Sequence, residues 1–379
     1  FQTEINGVPL YLIDGPPVRA ADSVYSSDPL VDGAKFTFFS LAALEMARSV
    51  QWQPDVLHAH DWHAAPAVYH LRLIREQDPF FQATRSLLTV HNLPYLGYDT
   101  APALQAFGLP RAHLSPLPEW AEHLPLPLGL LSADRINTVS NGYAKEILTG
   151  EFGANLDAFL RTRQADITGI LNGLDTRTWN PETDPQIPHN YTPQTLPGRV
   201  INKTALLEEL NLEVDPQLPL IAMINRMDYQ KGVDLVPDAL RMIRDLGWAA
   251  VILGTGDPGL EEAARKLDWE MPRVRALLRY DGTLARRIYA GSDLMIIPSR
   301  YEPCGLTQMI AMRYGCVPVA RATGGLRDTI GDYHAGPRKQ STGFLFQEPS
   351  ALQLADALRR ALLVFADQRR WRGLQRRGM

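Results

Sequence analysis

Two stretches carry side chains whose types and spacing suit work on a phosphorylated ligand. Asn225-Arg226-Met227-Asp228-Tyr229-Gln230-Lys231-Gly232 follows an apolar run that begins at Leu220, and it sets Arg226 and Lys231 five positions apart across a turn. Both cations can meet one diphosphate from there, Arg through its planar fork and Lys as a point charge. Ser299-Arg300-Tyr301-Glu302-Pro303-Cys304-Gly305-Leu306-Thr307-Gln308 follows the apolar run Asp293 to Pro298 and precedes a helical pattern. It offers one carboxylate, Glu302, and the backbone N–H groups of a helix start at the carboxyl end of an expected parallel strand. That is where open α/β sheets bind phosphate-bearing ligands. Two cations alone would be solvated surface charges; facing the Glu302 turn they read as a site.

A second group lies nearer the amino end, where Asp55-Val56-Leu57-His58-Ala59-His60-Asp61-Trp62-His63 closes a strand. His58 and His60 share one strand face, so a hydrolytic metal centre is one reading. Hydrogen-bonded histidines beneath a loop are another. The preferred third is polar recognition at a strand end, with Asp61 accepting from a hydroxyl-rich ligand. Thr89-Val90-His91-Asn92 ends the next strand, and two successive strands delivering polar side chains to one edge suit a ligand cleft. Leu253-Gly254-Thr255-Gly256-Asp257 lacks the full dinucleotide fingerprint and reads as a tight turn first and a nucleotide contact second. The same holds for Thr323-Gly324-Gly325-Leu326.

The elements that must hold these residues alternate between short apolar runs and helical-period segments, the pattern of parallel sheets covered on both faces. Strands are expected at Val8–Asp14, Asp55–His60, Ser86–His91 and Arg135–Ser140, with helices near Ala34–Ser49, Ala64–Arg75 and Gly142–Thr149. A second series has strands at Leu220–Arg226, Ala249–Gly254, Val274–Arg279, Asp293–Pro298 and Cys316–Arg321. Its helices are expected at Gly232–Leu246, Gly259–Leu267, Leu284–Gly291, Thr307–Gly315 and Gly325–Ile330. Residues 172–200 hold five prolines and few apolar side chains and read as surface connection. Leu114–Leu128, also proline-rich, reads as a loop. The expected fold class is α/β, two facing doubly wound domains with a cleft between them. Its divisions are 1–140, a connection over 141–200, and 201–379.

A chain of 379 residues suits two cores. Its 38 basic against 42 acidic residues create no broad positive field for nucleic acid. No apolar stretch approaches the roughly 20 residues that cross a bilayer, so no membrane partner is expected. Two cysteines, one of them inside the Glu302 stretch, fit a reducing compartment, by default the cytoplasm. Phe1 opens within what reads as a folded unit, so a preceding segment is expected.

Taken in order, these motifs resemble the bacterial glycogen synthase and plant starch synthase family. The resemblance rests on His58-Ala59-His60-Asp61-Trp62-His63, Thr89-Val90-His91-Asn92, Ala133-Asp134-Arg135-Ile136-Asn137-Thr138-Val139-Ser140, Gly169-Ile170-Leu171-Asn172-Gly173-Leu174-Asp175, Arg226 with Gln230-Lys231-Gly232, and Glu302 to Gln308. It implies two Rossmann-like domains of the GT-B type and glucose transfer with retention from ADP-glucose, or another nucleotide-glucose, to the non-reducing end of an α-1,4-glucan. It implies no metal and no cofactor, and a bacterial cytosol, or a plastid if the source is a plant. It also assigns roles: His91 and Asp61 beside the transferred glucose, with Asn92 next to them; Arg226 and Lys231, with Gln230, on the departing diphosphate; and Glu302 close to the glucosyl unit. Cys304 and the amides of Gly305, Leu306 and Thr307 lie beside Glu302, and Tyr280 stacks on the base. Departures from the family pattern are the absence of a Lys-Thr-Gly-Gly-Leu loop, Pro127 in place of a lysine, Ser140-Asn141-Gly142-Tyr143 in place of Ser-Pro-Thr-Tyr, and an end at Met379. From these a weakly active chain is expected. The alternatives are another retaining transferase with a small acceptor, a metal-dependent hydrolase on His58, His60, Asp61 and His63, and a glucan-binding remnant without catalysis.

Overall fold

Each apolar run between helical segments becomes a strand whose two faces are both covered. In the computed structural model, which describes residues 1–113, 116–335, 337 and 339–379, the chain divides into two units, Phe1–Ile170 and Leu171–Met379.

The first unit opens with β1 (Gln2–Ile5) and β2 (Val8–Tyr11), an antiparallel hairpin with Ile5 opposite Val8. This corrects the expectation of a first strand over Val8–Asp14. Asn6 and Gly7 both take positive φ, 52° and 81°, and Asn-Gly is the pair that closes a tight hairpin. The parallel sheet is β3 (Val56–His60), β4 (Arg85–Val90), β5 (Arg135–Thr138) and β6 (Ile167–Gly169), hydrogen-bonded in that order. Leu88 and Val90 of β4 are fully buried against Ala65 and Val68 of the helix Asp61–Ile74 and against Leu126 and Leu130. The last two belong to a helix, Pro125–Ser132, that begins within the stretch expected as a loop and runs past its end. Pro125 and Pro127 fall in its first turn, where the missing N–H groups have no intrahelical acceptor to lose. Leu114 and Ser115, also in that stretch, lie outside the described residues.

The second unit carries one six-stranded parallel sheet. Its strands are β7 (Leu220–Ile224), β8 (Ala249–Leu253), β9 (Val274–Leu277), β10 (Leu294–Ile297), β11 (Val317–Arg321) and β12 (Phe344–Phe346), in the spatial order β12-β11-β10-β7-β8-β9. Along β7, Ile221 and Met223 enter the core with Trp248 and Leu267, while Leu220 and Ala222 enter the other with Leu206 and Ile288. Alternate side chains thus feed two cores, which is why the run reads as continuously apolar.

Residues 141–200 are divided between the units. β6 pairs with β5 in the first unit, and the stretch from Leu171 packs into the second. There the expectation of surface connection is corrected: Ile187, Tyr191 and Leu196 are buried in its core. Asp184 accepts from the Tyr314 hydroxyl at 2.5 Å and from Arg286 at 2.8 Å, and the Tyr191 hydroxyl donates to the Tyr314 carbonyl at 2.8 Å. Proline-rich chain lies flat on a core when its polar groups find such partners. The helix expected over Gly232–Leu246 is broken into tight turns and Val236–Met242, with Pro237 at its start. Beyond Ile330 the sequence reading assigns no element, yet helices Ala351–Phe365 and Gln368–Gly378 pack Leu354, Leu358, Trp371 and Leu374 into the core.

Candidate active site

In the second unit the chain leaves β7 and is at once pinned by its neighbour. The Met227 N–H donates to the Thr255 carbonyl at 3.0 Å, and the Asp257 N–H donates to the Met227 carbonyl at 2.7 Å. The Gly254–Asp257 turn therefore acts here as a tight packing turn. Asp228 then caps the next turn through its side chain, accepting from the Lys231 N–H at 2.9 Å. It also accepts from Arg226 Nε at 2.5 Å. Gly232 follows at φ +65°, and a Cβ there would lie 2.1 Å from the Pro298 carbonyl oxygen. Only glycine allows the turn to come this close to the end of β10.

That approach delivers Lys231 to Glu302. The ammonium donates to both carboxylate oxygens, at 2.9 and 2.8 Å, and Ser299 Oγ donates to Oε2 at 2.8 Å. Glu302 is 6% exposed, so its charge is held by a cation and a hydroxyl rather than by water. Backbone and side chain lock the two turns together: the Arg300 N–H donates to the Gln230 carbonyl at 2.8 Å, and Gln230 Nε2 donates to the Tyr301 carbonyl at 3.4 Å.

After Glu302 the chain turns through Gly305 at φ +74°, where a Cβ would meet Gln308 Oε1 at 2.4 Å and Glu302 Cγ at 3.0 Å. Gln308 Nε2 holds the turn by donating to the carbonyls of Cys304 and Gly305 at 2.9 and 2.8 Å. Cys304 is buried, and burial pushes its thiol up, keeping it neutral. Leu306 is 47% exposed, and the helix from Thr307 starts with no side-chain cap, leaving its first-turn donors for other acceptors. Tyr280 is 89% exposed on the turn between β9 and the Gly282–Gly291 helix.

The first unit brings together a second group. Asp61, at φ +55°, begins the helix after β3 and accepts the His91 N–H at 2.7 Å. A non-glycine residue in that conformation is strained, and here the strain joins the ends of β3 and β4. His60 Nδ1 and His91 Nε2 share a hydrogen bond at 3.0 Å. His58 Nε2 meets Thr89 Oγ1 at 2.7 Å, and that hydroxyl donates to Asn137 Oδ1 at 2.6 Å. Burial lowers the His58 and His60 pKa values, and neighbouring histidines add to the shift. The Leu93 N–H donates to the Tyr143 hydroxyl at 2.9 Å, and Asn92 Oδ1 is buried without a partner among the described residues.

His63 does not join this group. Its ring packs 4.6 Å from that of Phe36 and 5.5 Å from that of Tyr25, and burial lowers its pKa. Among the described residues no three His, Cys, Asp or Glu side chains gather in a way that could hold a metal ion. The metal-hydrolase alternative is not favoured, because strand alternation pairs His58 with His60 while the helix turns His63 into an aromatic cluster.

Sequence reasoning singles out the stretches that hold Asp228, Ser299, Gln308 and Asn137 but assigns these four residues no role. Asp228 had a signal, an acid three residues before the Lys231 turn, as in a cap. Ser299, Gln308 and Asn137 act through contacts that spacing alone does not reveal.

The chain has two Rossmann-like α/β units with polar side chains gathered at the carboxyl ends of parallel strands, and comparison with known proteins identifies it as a GT-B glycosyltransferase. Residues 1–162 match the family model described as starch synthase catalytic domain, and residues 209–372 that of glycosyl transferases group 1. The chain is 40% identical to a glycogen synthase 2 of Geobacter sulfurreducens, covering 100% of this chain and 79% of the relative. It is 42% identical to a glycogen synthase of Anaeromyxobacter dehalogenans, covering 98% and 79%. The catalytic domain of starch synthase IV from Arabidopsis thaliana, solved bound to ADP and acarbose, superposes with a TM-score of 0.90 at 34% identity over 100% of this chain and 80% of that one. Sucrose-phosphate synthase from Thermosynechococcus elongatus, 20% identical with a TM-score of 0.59 over 91% and 73%, shares the fold. The chain belongs to the glycogen and starch synthase family.

Proposed function

We propose that the chain transfers glucose, with retention, from ADP-glucose to the non-reducing end of an α-1,4-glucan such as glycogen or starch. The observation that carries this reading is Lys231 seated across both oxygens of the buried Glu302, with Arg226 on the same capped turn and an uncapped helix start just beyond. The ADP and acarbose bound by the related starch synthase support a nucleotide-sugar donor and a glucan acceptor.

In this reading Arg226 and Lys231 hold the departing diphosphate, with Gln230 orienting their turn. The N–H groups of Gly305, Leu306 and Thr307 add donors that strengthen as the phosphate gains charge. Glu302 stabilises the positive charge developing on the glucosyl carbon, and Cys304 fills the space beside it. His91, Asn92 and Asp61 recognise sugar hydroxyls, and Tyr280 stacks on the base. The differential between ground state and transition state is the catalytic term. The acceptor hydroxyl enters on the face the phosphate leaves and gives that phosphate its proton, which retains configuration. These residues supply the charges the reaction needs, and we assign no metal or organic cofactor. Two buried, unpaired cysteines suit a reducing compartment, and we infer a cytoplasmic one.

The test is glucose incorporation into glycogen with ADP-glucose and UDP-glucose as alternative donors. ADP-glucose is expected to be preferred. Glu302→Ala and Lys231→Ala are each expected to lower kcat about a hundredfold, the scale of losing one transition-state charge contact. Unchanged turnover in both variants would overturn the assignment.

A further inference from the structure

We propose that Asp228 is a positioning residue for the donor's diphosphate: one carboxylate sets both the pose of the Arg226 guanidinium and the start of the Lys231 side chain. The inference rests on the proposed reading of Arg226 and Lys231 as the diphosphate cations. Asp228 Oδ2 accepts from Arg226 Nε at 2.5 Å, while Oδ1 accepts from the Lys231 N–H at 2.9 Å. The residue between Arg226 and Asp228 is equally constrained, because Met227 is fully buried and bonded through its N–H and its carbonyl to Thr255 and Asp257. One acid thus ties the Arg226 guanidinium to the backbone N–H of Lys231, on a backbone that has no room to drift.

The position of Arg226 most needs such help. Its side chain is 60% exposed, against 20% for Lys231, so packing constrains it less than it constrains Lys231. A bond to Nε fixes the plane of the guanidinium, and that plane decides where a planar fork can grip a phosphate. Charge alone argues against an acid here. Asp228 and Glu302 together cancel Arg226 and Lys231, leaving no net positive charge to draw in a diphosphate. A carboxylate acting only through its charge would weaken donor binding, so its removal would tighten binding. A carboxylate that positions the cations does the reverse, and the sign of the effect separates the two.

Asp228→Ser keeps a capping oxygen for the Lys231 N–H but neither reaches Arg226 nor carries charge. Titration calorimetry with ADP on the full chain is expected to show an affinity about tenfold lower, the scale of one charge-assisted contact, at an unchanged melting temperature. The KM for ADP-glucose should rise in step while kcat changes less than about threefold. Asp228→Asn, which keeps both the cap and an acceptor, should lose less. The proposal is overturned if Asp228→Ser binds ADP as the parent does, or more tightly, while Arg226→Ala and Lys231→Ala both lose affinity. It is also overturned if affinity and melting temperature fall together in the Ser and Asn variants alike, which marks a structural cap. If Arg226→Ala and Lys231→Ala also leave ADP binding unchanged, the diphosphate reading itself falls, and the proposal with it.

Discussion

Lys231 and Arg226 have the same charge and sit on the same turn, yet the structure gives them different burdens. The Lys231 ammonium is the cation within bonding distance of a carboxylate whose side chain is only 8% exposed. Removing it strands that charge beside one serine hydroxyl, and Lys231→Ala should destabilise the second unit by about 3 kcal/mol in urea melts in addition to its effect on turnover. Arg226→Ala, at a 60% exposed side chain, should cost activity with a stability change within about 0.5 kcal/mol. Gly305 presents a third case. At φ +74° with Gln308 Oε1 in the path of any Cβ, Gly305→Ala should lose roughly 1–3 kcal/mol and shift Glu302, so that kcat falls even where the protein stays folded. A melt and a turnover assay on the same preparation read both effects. At this scale residue types were legible in the sequence, because Arg, Lys and Glu at strand ends announce themselves. The roles of Ser299 and Gln308 were not, although both lie in the stretch around Glu302, since a serine after an apolar strand and a glutamine at a helix start have no assigned task until their partners are seen.

Among the elements, strands of the second unit were the most legible, because burial on both faces leaves unbroken apolar runs at β7, β8, β10 and β11. Residues 172–200 were read as surface connection because their anchors are polar and distant in sequence: Asp184 meets Arg286 and Tyr314, and Arg286 stacks 4.2 Å from the Trp179 ring centre. Burial raises the Asp184 pKa. The Tyr314 hydroxyl, the Gln186 N–H and Arg286 outweigh that effect and hold it below the usual carboxylate range. A depressed carboxylate contributes stability that is present above its unfolded pKa and is lost as pH falls through its folded one. Asp184→Asn should therefore be less stable than the parent at pH 7, and the gap should close as pH drops below about 4. A parallel pair of melting curves against pH checks this, and a constant gap would remove Asp184 from the account.

Across the whole molecule the two units differ in how they meet acid. In the first unit, burial lowers the pKa values of His58, His60, His63 and His70. The unfolded chain then binds protons more readily, so this contribution is full above pH ~6.5 and is lost as pH falls through that value. In the second unit the acidic side chains with resolved shifts, among them Asp184, Asp245 and Glu270, are all lowered and titrate only in the carboxylate range. Hydrogen exchange on the intact chain should show amides of residues 1–170 beginning to lose protection as pH falls below about 6.5, before those of 171–379 lose theirs. Simultaneous loss in both units would contradict the assignment.

Apolar period was enough to establish an α/β chain, since burial on two faces writes itself as runs, and charged types at strand ends pointed to a phosphate-bearing ligand; the sugar nucleotide came only from the family that those motifs resemble. Which side chains meet was settled by tertiary contact. His63 turned into an aromatic cluster, Asp228 joined the Arg226 side chain to the Lys231 N–H, and Ser299 closed on Glu302 because hydrogen bonds and packing act across distances in space that spacing along the chain does not encode.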